Sequence, residues 1–299
     1  MHRRSFLLGS TAALPVWWAE RGAYGAAPAS SLLDTIDLEL EGDRDLARRA
    51  LILVPKARVR QRAVLILLHG LGETGNELAG IHAWGERYGL VRAYERLMSP
   101  PVTRENPKLA YLDEERAKEL NTSLEKTPFR GLVMVCPVTP NPYKRDAAKV
   151  FESYGSWIEH VLLPGVRRRL AIGDAPLAVG LDGCSLGGYV GLEVLLGRPE
   201  LFTSFGVVQP AIGQANAVRY AERIAAAIAR VGPLPIHVET SSRDPYREPS
   251  KLLARKLGEL GVPNQFRLSD GPHDQPWLRE VGTLEMLLWH DRQLNHSAR

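Results

Sequence analysis

Eight short runs of apolar residues punctuate this chain, at 35–40, 49–55, 63–69, 132–137, 177–182, 204–209, 236–240 and 265–268. Later runs such as AVLILL and LVMVC are almost continuously apolar, as strands are when a parallel sheet is covered on both faces. Between the runs, apolar residues recur at helical spacing over 77–98, 149–170, 186–196, 215–231, 249–260 and 276–295. That spacing predicts helices with one buried face. The alternation predicts an α/β fold, a mostly parallel, doubly wound sheet of about eight strands flanked by helices. Its first two strands are expected to be antiparallel. No internal repeat or low-complexity tract interrupts 30–299, which reads as one domain.

Composition narrows the class. With 299 residues, 44% of them hydrophobic, the chain can bury one sizeable core. A formal charge of +4 is small for this size. Much of the excess is local, at Arg58, Arg60 and Arg62 and at Arg167–Arg169. No basic stripe interleaves with aromatics, so nucleic acid is not an expected partner.

The run GCSLGG, residues 183–188, carries the most specific chemistry. It stands between a predicted strand and a predicted helix, so Ser185 falls in a sharp strand-to-helix turn. Side chains at 183 and 187 would collide with such a turn, and glycine stands at both. The helix start behind Ser185 favours developing negative charge. A nucleophilic serine needs a base, and the base needs an orienting acid. Of His273, His290 and His296, only His273 lies in a turn-rich loop beyond a strand, in SDGPHDQPW. His290 falls in a helical pattern and His296 in the polar tail. Asp244 ends the preceding strand region and is the expected acid, with Asp270, Asp274 and Glu239 as competitors. The strand before His69-Gly70-Leu71-Gly72 leads to a loop that would supply one oxyanion-binding N–H, from Leu71. Leu186, after the nucleophile, would supply the other. Gly70 and Gly72 are expected to let this loop turn sharply, and His69 to hold it by hydrogen bonds.

HGLGETGNE, GCSLGG and SSRDPY together resemble the oxyanion, nucleophile and acid motifs of the α/β-hydrolase superfamily, in its carboxylesterase and thioesterase-like branches. The resemblance spans about residues 51–289, but only the motif segments are specific. It implies an α/β-hydrolase fold, a Ser185–His273–Asp244 triad, serine-dependent ester hydrolysis through an acyl-enzyme, and no cofactor. The substrate would be a small-molecule or polymer-linked ester. A peptidase of the same fold and a non-catalytic binding protein are the rival readings. Segment 98–130 matches no pattern and is either a lid over the site or a solvated surface helix. Trp84 and Tyr143 are candidates for lining a substrate pocket.

The first 29 residues read as a targeting segment. Arg3-Arg4-Ser5-Phe6-Leu7 resembles a twin-arginine signal, followed by a modest apolar region and Ala27-Pro28-Ala29. Export to the periplasm or beyond is expected, with no stable membrane span in the mature chain. Cys136 and Cys184 are expected to stay unpaired. They fall on strands two sheet spacings apart, roughly 9–10 Å, beyond disulfide reach. No His/Cys cluster has metal-ligand spacing.

Overall fold

The structure, a computed structural model, describes residues 30–57, 63–106, 108–174 and 176–296. The targeting segment and the arginines at 58–62 therefore lie outside the described residues.

All eight predicted strands form one sheet: β1 (Leu33–Glu39), β2 (Arg49–Pro55), β3 (Ala63–Leu68), β4 (Val133–Pro137), β5 (Ala178–Gly183), β6 (Ser204–Val208), β7 (Ile236–Arg243) and β8 (Asn264–Pro272). Their spatial order is β1-β2-β4-β3-β5-β6-β7-β8. The pairings β1–β2 and β2–β4 are antiparallel and the rest are parallel. A parallel strand buries both faces, and β3 shows it: all six of its residues are buried.

Among the described residues, the α-helices that cover the sheet are α1 (Glu77–His82), α2 (Leu90–Met98), α3 (Glu114–Lys126), α4 (Ala147–Trp157), α5 (Leu163–Arg169), α6 (Leu186–Gly197), α7 (Gln214–Val231), α8 (Arg247–Glu259), the single turn α9 (Gln275–Trp277) and α10 (Thr283–His296). Alternate strand residues feed two cores. Val64, Ile66 and Leu68 of β3 join residues of α4 to α8 on one face. Leu65 and Leu67 join α1, α2, α3 and α10 on the other.

Three helices expected to be continuous are interrupted. Within 77–98 a widened turn follows α1, and Gly89 takes a left-handed φ of +77° before α2 starts. A Cβ on Gly89 would lie 2.9 Å from Arg279 Cα, so α9 and its following turn pack where a side chain would stand. Within 149–170 a widened turn, Ile158–Leu162, precedes Pro164. Proline lacks the N–H and crowds the preceding turn, which favours such a bulge. Within 276–295, Asp274 caps α9 by accepting the Trp277 N–H at 2.9 Å, and a widened turn leads to α10.

Segment 98–130 is anchored along much of its length. Leu112, Leu120, Leu124 and Phe129 enter the core beside α2 and α10. The Arg116 guanidinium donates to the Glu285 carboxylate at 2.7 Å, and Asn121 exchanges hydrogen bonds with the backbone of Val102.

Candidate active site

Ser185 sits between the end of β5 and the start of α6 with φ +55° and ψ −116°. A non-glycine residue held in this region is strained. The surrounding backbone fixes it. Ser185 N–H donates to Val208 O at 3.0 Å, and Ser185 O accepts from Ala211 N–H at 2.9 Å and Tyr189 N–H at 3.2 Å. The flanking glycines are needed for space. A Cβ on Gly183 would stand 2.5 Å from the Gly187 carbonyl, and one on Gly187 would stand 2.2 Å from Leu68 O. Leu186 opens α6, so its N–H has no acceptor within the helix.

Asp244 follows β7 and His273 follows β8 directly. His273 Nδ1 lies 2.9 Å from Asp244 Oδ1. Asp244 is itself held: Oδ2 accepts from Thr240 Oγ1 at 2.6 Å, and Oδ1 from Tyr246 N–H at 2.9 Å. The Asp244 side chain is fully buried, whereas His273 keeps 12% of its side chain exposed. Tyr246 packs edge-on against the His273 ring at 5.5 Å. The three competing acids stand elsewhere. Asp270 accepts from Arg243 and Ser242, Asp274 caps α9, and Glu239 is buried within β7. Ser185, Asp244 and His273 thus occupy the carboxyl ends of β5, β7 and β8, along one edge of the sheet.

The loop after β3 is fixed from two sides. Thr139 N–H donates to His69 Nε2 at 2.8 Å. A backbone N–H can only donate, so Nε2 carries no proton, and Nδ1–H donates to Gly70 O at 2.8 Å. His69 N–H also donates to Thr139 Oγ1 at 2.8 Å. Complete burial lowers the His69 pKa and keeps the ring neutral. From the other side, Gly70 N–H donates to Tyr88 OH at 3.2 Å, and Tyr88 OH donates to Glu73 Oε2 at 2.5 Å. Arg87 donates to the other Glu73 oxygen at 2.9 Å. Burial raises the Tyr88 pKa well above the phenol range, so its proton stays available to Glu73. Leu71 opens the short helical turn Leu71–Glu73, and its N–H likewise has no acceptor within the turn.

The glycines of this loop act otherwise than the sequence suggests. Gly70 has an ordinary φ of −74°. Its contribution is room: a Cβ there would lie 3.2 Å from Tyr88 OH and 3.7 Å from Ser185 Cβ. Gly72 sits exposed in the turn, and the left-handed glycine is Gly75, with φ +88°.

Several residues joined to this arrangement carry no sequence signal. Glu73 and Tyr88 read as a loop acid and a helix aromatic, yet both are buried. Gln209, just past β6, is buried and left-handed with φ +48°. A further set lies under the elbow. His290 Nε2 is 3.0 Å from Asp182 Oδ2, and His290 Nδ1 is 2.8 Å from Ser204 Oγ. All three are fully buried. Burial pushes the Asp182 carboxyl up and the His290 imidazole down to about 3. Asp182 also accepts the Gly183 N–H at 2.6 Å.

The remaining candidates divide. Trp84 is fully buried and packs edge-on against Tyr88, which makes it core rather than pocket lining. Tyr143 is 64% exposed and lies 6.4 Å from Tyr189, one helical turn beyond Ser185. Cys136, in β4, and Cys184, directly after β5, are unpaired and buried, and burial raises both thiol pKa values. Among the described residues, no group of three or more His, Cys, Asp or Glu could hold a metal ion, and no helix is long and apolar enough to cross a membrane.

No protein-family model matches the chain, and no curated protein matches it by sequence. Solved structures do match by shape. An S-formylglutathione hydrolase from Staphylococcus aureus superposes with a TM-score of 0.54 at 16% identity, over 89% of this chain and 100% of that one. A ferulic acid esterase gives 0.60 at 16%, over 88% and 99%. An S-formylglutathione hydrolase from Agrobacterium tumefaciens gives 0.54 at 15%, over 87% and 94%. At such identities the shared property is the fold, and with the strand order above it is the α/β-hydrolase fold.

Proposed function

We propose that this chain is a serine hydrolase of carboxylic esters. The observation that carries the reading is the strained Ser185 elbow on the same sheet edge as the hydrogen-bonded Asp244–His273 pair. In this reading Ser185 Oγ attacks the acyl carbon. With Nδ1 turned to Asp244, Nε2 of His273 takes the serine proton and later gives it to the leaving alcohol. Asp244 holds the tautomer and stabilises the imidazolium. The N–H groups of Leu71 and Leu186 hold the oxyanion, where each donor is worth roughly 100- to 1,000-fold in rate. Water then attacks the acyl-enzyme, with His273 again as base. The similar structures include an S-formylglutathione hydrolase and a ferulic acid esterase. Their shared acyl-transfer chemistry supports the reaction class, and a small-molecule or polymer-linked ester is the substrate we assign.

The test is Ser185→Ala on 4-nitrophenyl esters of rising chain length, beside feruloyl and acetylated-sugar esters. Turnover should fall by several orders of magnitude, and a fluorophosphonate should label wild type but not the variant. More than about a tenth of the activity left in the variant overturns the serine mechanism. A wild-type protein that takes no label points to a binding protein, and one that cleaves only amides points to a peptidase.

We also propose that the chain is exported through its paired arginines. Arg3→Lys with Arg4→Lys should leave an uncleaved protein in the cytoplasm. Unchanged export would point to the general secretory route.

A further inference from the structure

Residues 208–211 touch the proposed nucleophile and the residue just before the proposed base. Their backbone grips the nucleophile twice, since Val208 O accepts from Ser185 N–H and Ala211 N–H donates to Ser185 O. Between those two contacts lies Gln209. Its own N–H donates to Glu239 O at 2.7 Å, which extends the β6–β7 ladder by one bond. Its φ of +48° then turns the side chain across the edge of the sheet. The amide nitrogen donates to Ser241 Oγ at 2.7 Å and to Pro272 O at 3.0 Å. Ser241 Oγ donates to the same Pro272 carbonyl at 3.0 Å. Both amide hydrogens of Gln209 are therefore used, and Pro272 O accepts two bonds. Pro272 is joined covalently to His273, and Ser241 O accepts the Asp244 N–H at 3.2 Å.

From this we infer that Gln209 is a positioning residue for catalysis: its amide ties the Ser185 elbow to the Pro272–His273 junction and so sets the distance between nucleophile and base. The inference rests on the assignment of Ser185 and His273 above. Three features support it. Glutamine in a left-handed conformation is uncommon and strained, and such strain collects at functional sites. The side chain is buried with both donors satisfied, so it is held in one place. Its partners belong to the two strand ends that carry the acid and the base. A misplacement of about 1 Å in a reacting pair can cost roughly 100-fold in rate.

The test uses two variants of the full chain. Gln209→Met keeps length and burial but cannot donate. Gln209→Gly removes the side chain and relaxes the left-handed backbone. Both should lower kcat for 4-nitrophenyl acetate by about 10- to 100-fold with KM little changed, because alignment is expressed in the transition state. Fluorophosphonate labelling of Ser185 should slow in parallel. Gln209→Gly should stay folded, with a melting temperature close to wild type. Three results overturn the inference: kcat within twofold of wild type in both folded variants, a rise in KM alone, or a kcat loss found only where the melting temperature collapses. His273→Ala is run alongside. If that variant stays active, it is the base assignment that fails, whatever Gln209 does.

Discussion

Replacing Tyr88 with phenylalanine tests whether the loop after β3 is held from below. The hydroxyl is the only group removed, and its bonds include one to Glu73 and one from Gly70 N–H. A hydrogen bond to a charged group is worth roughly 1.5–3 kcal/mol, and a buried N–H left unpaired costs roughly 1–3 kcal/mol. Arg87 still bonds Glu73, so the carboxylate keeps one partner. The sum is about 2.5–6 kcal/mol of lost stability. In a domain somewhat above 250 residues, each kcal/mol moves the melting temperature by roughly 2 °C, giving a fall of about 5–12 °C. Gly70 N–H is one residue from the N–H assigned to the oxyanion. A loosened loop should therefore lower kcat by about tenfold or more, below the roughly 100-fold cost of losing a donor outright. Differential scanning calorimetry and ester turnover read the two effects. A melting temperature within 1 °C of wild type together with unchanged kcat refutes the anchoring role, the 1 °C being well under the shift worked above.

Other perturbations reach different parts of the molecule. Gly187→Ala would put a methyl group 2.2 Å from Leu68 O, so little folded protein should be recovered, and a wild-type melting curve would contradict the elbow geometry. Arg116→Met leaves the buried Glu285 with Arg267 as its remaining cation, at 3.4 Å. Breaking one partner of a buried pair costs roughly 3–5 kcal/mol, readable by urea unfolding, and an unchanged midpoint counts against it. His69→Gln tests the neutral imidazole. Because the folded His69 pKa is depressed, the unfolded chain binds the extra proton below about pH 6.5, and wild-type stability falls as the pH drops. The variant lacks that term, so the stability gap between the two should narrow from pH 7.5 to pH 5. A gap that widens reverses the sign of the argument.

The strands were legible because parallel burial leaves an unbroken apolar run, and β3 at 63–68 announces itself that way. The elbow was legible because steric crowding allows only glycine at 183 and 187. Helix interruptions were harder to read. The apolar period runs on through 77–98, and the break at Gly89 depends on Arg279, 190 positions away in the chain. The strand β8 extends to Pro272 instead of ending at 268, since its last residues pair with the irregular end of β7. Around the site, Ser185, Asp244 and His273 could be nominated by chemistry and chain order. Glu73, Tyr88 and Gln209 could not, because their partners lie 14 to 63 residues away and local sequence carries no trace of such contacts.

Asp182, His290 and Ser204 have a consequence for how sites are recognised. They reproduce the acid, imidazole and hydroxyl of a hydrolytic set at hydrogen-bonding distances. A search by residue type and distance alone would return this buried set as a hit. The two serines differ in access: Ser204, within β6, is fully buried, while Ser185 keeps 9% of its surface open. The buried set also lacks the backbone turn that presents a hydroxyl beyond the sheet edge. On the proposed assignment, access and backbone strain would separate the reactive set from a buried arrangement of the same three groups.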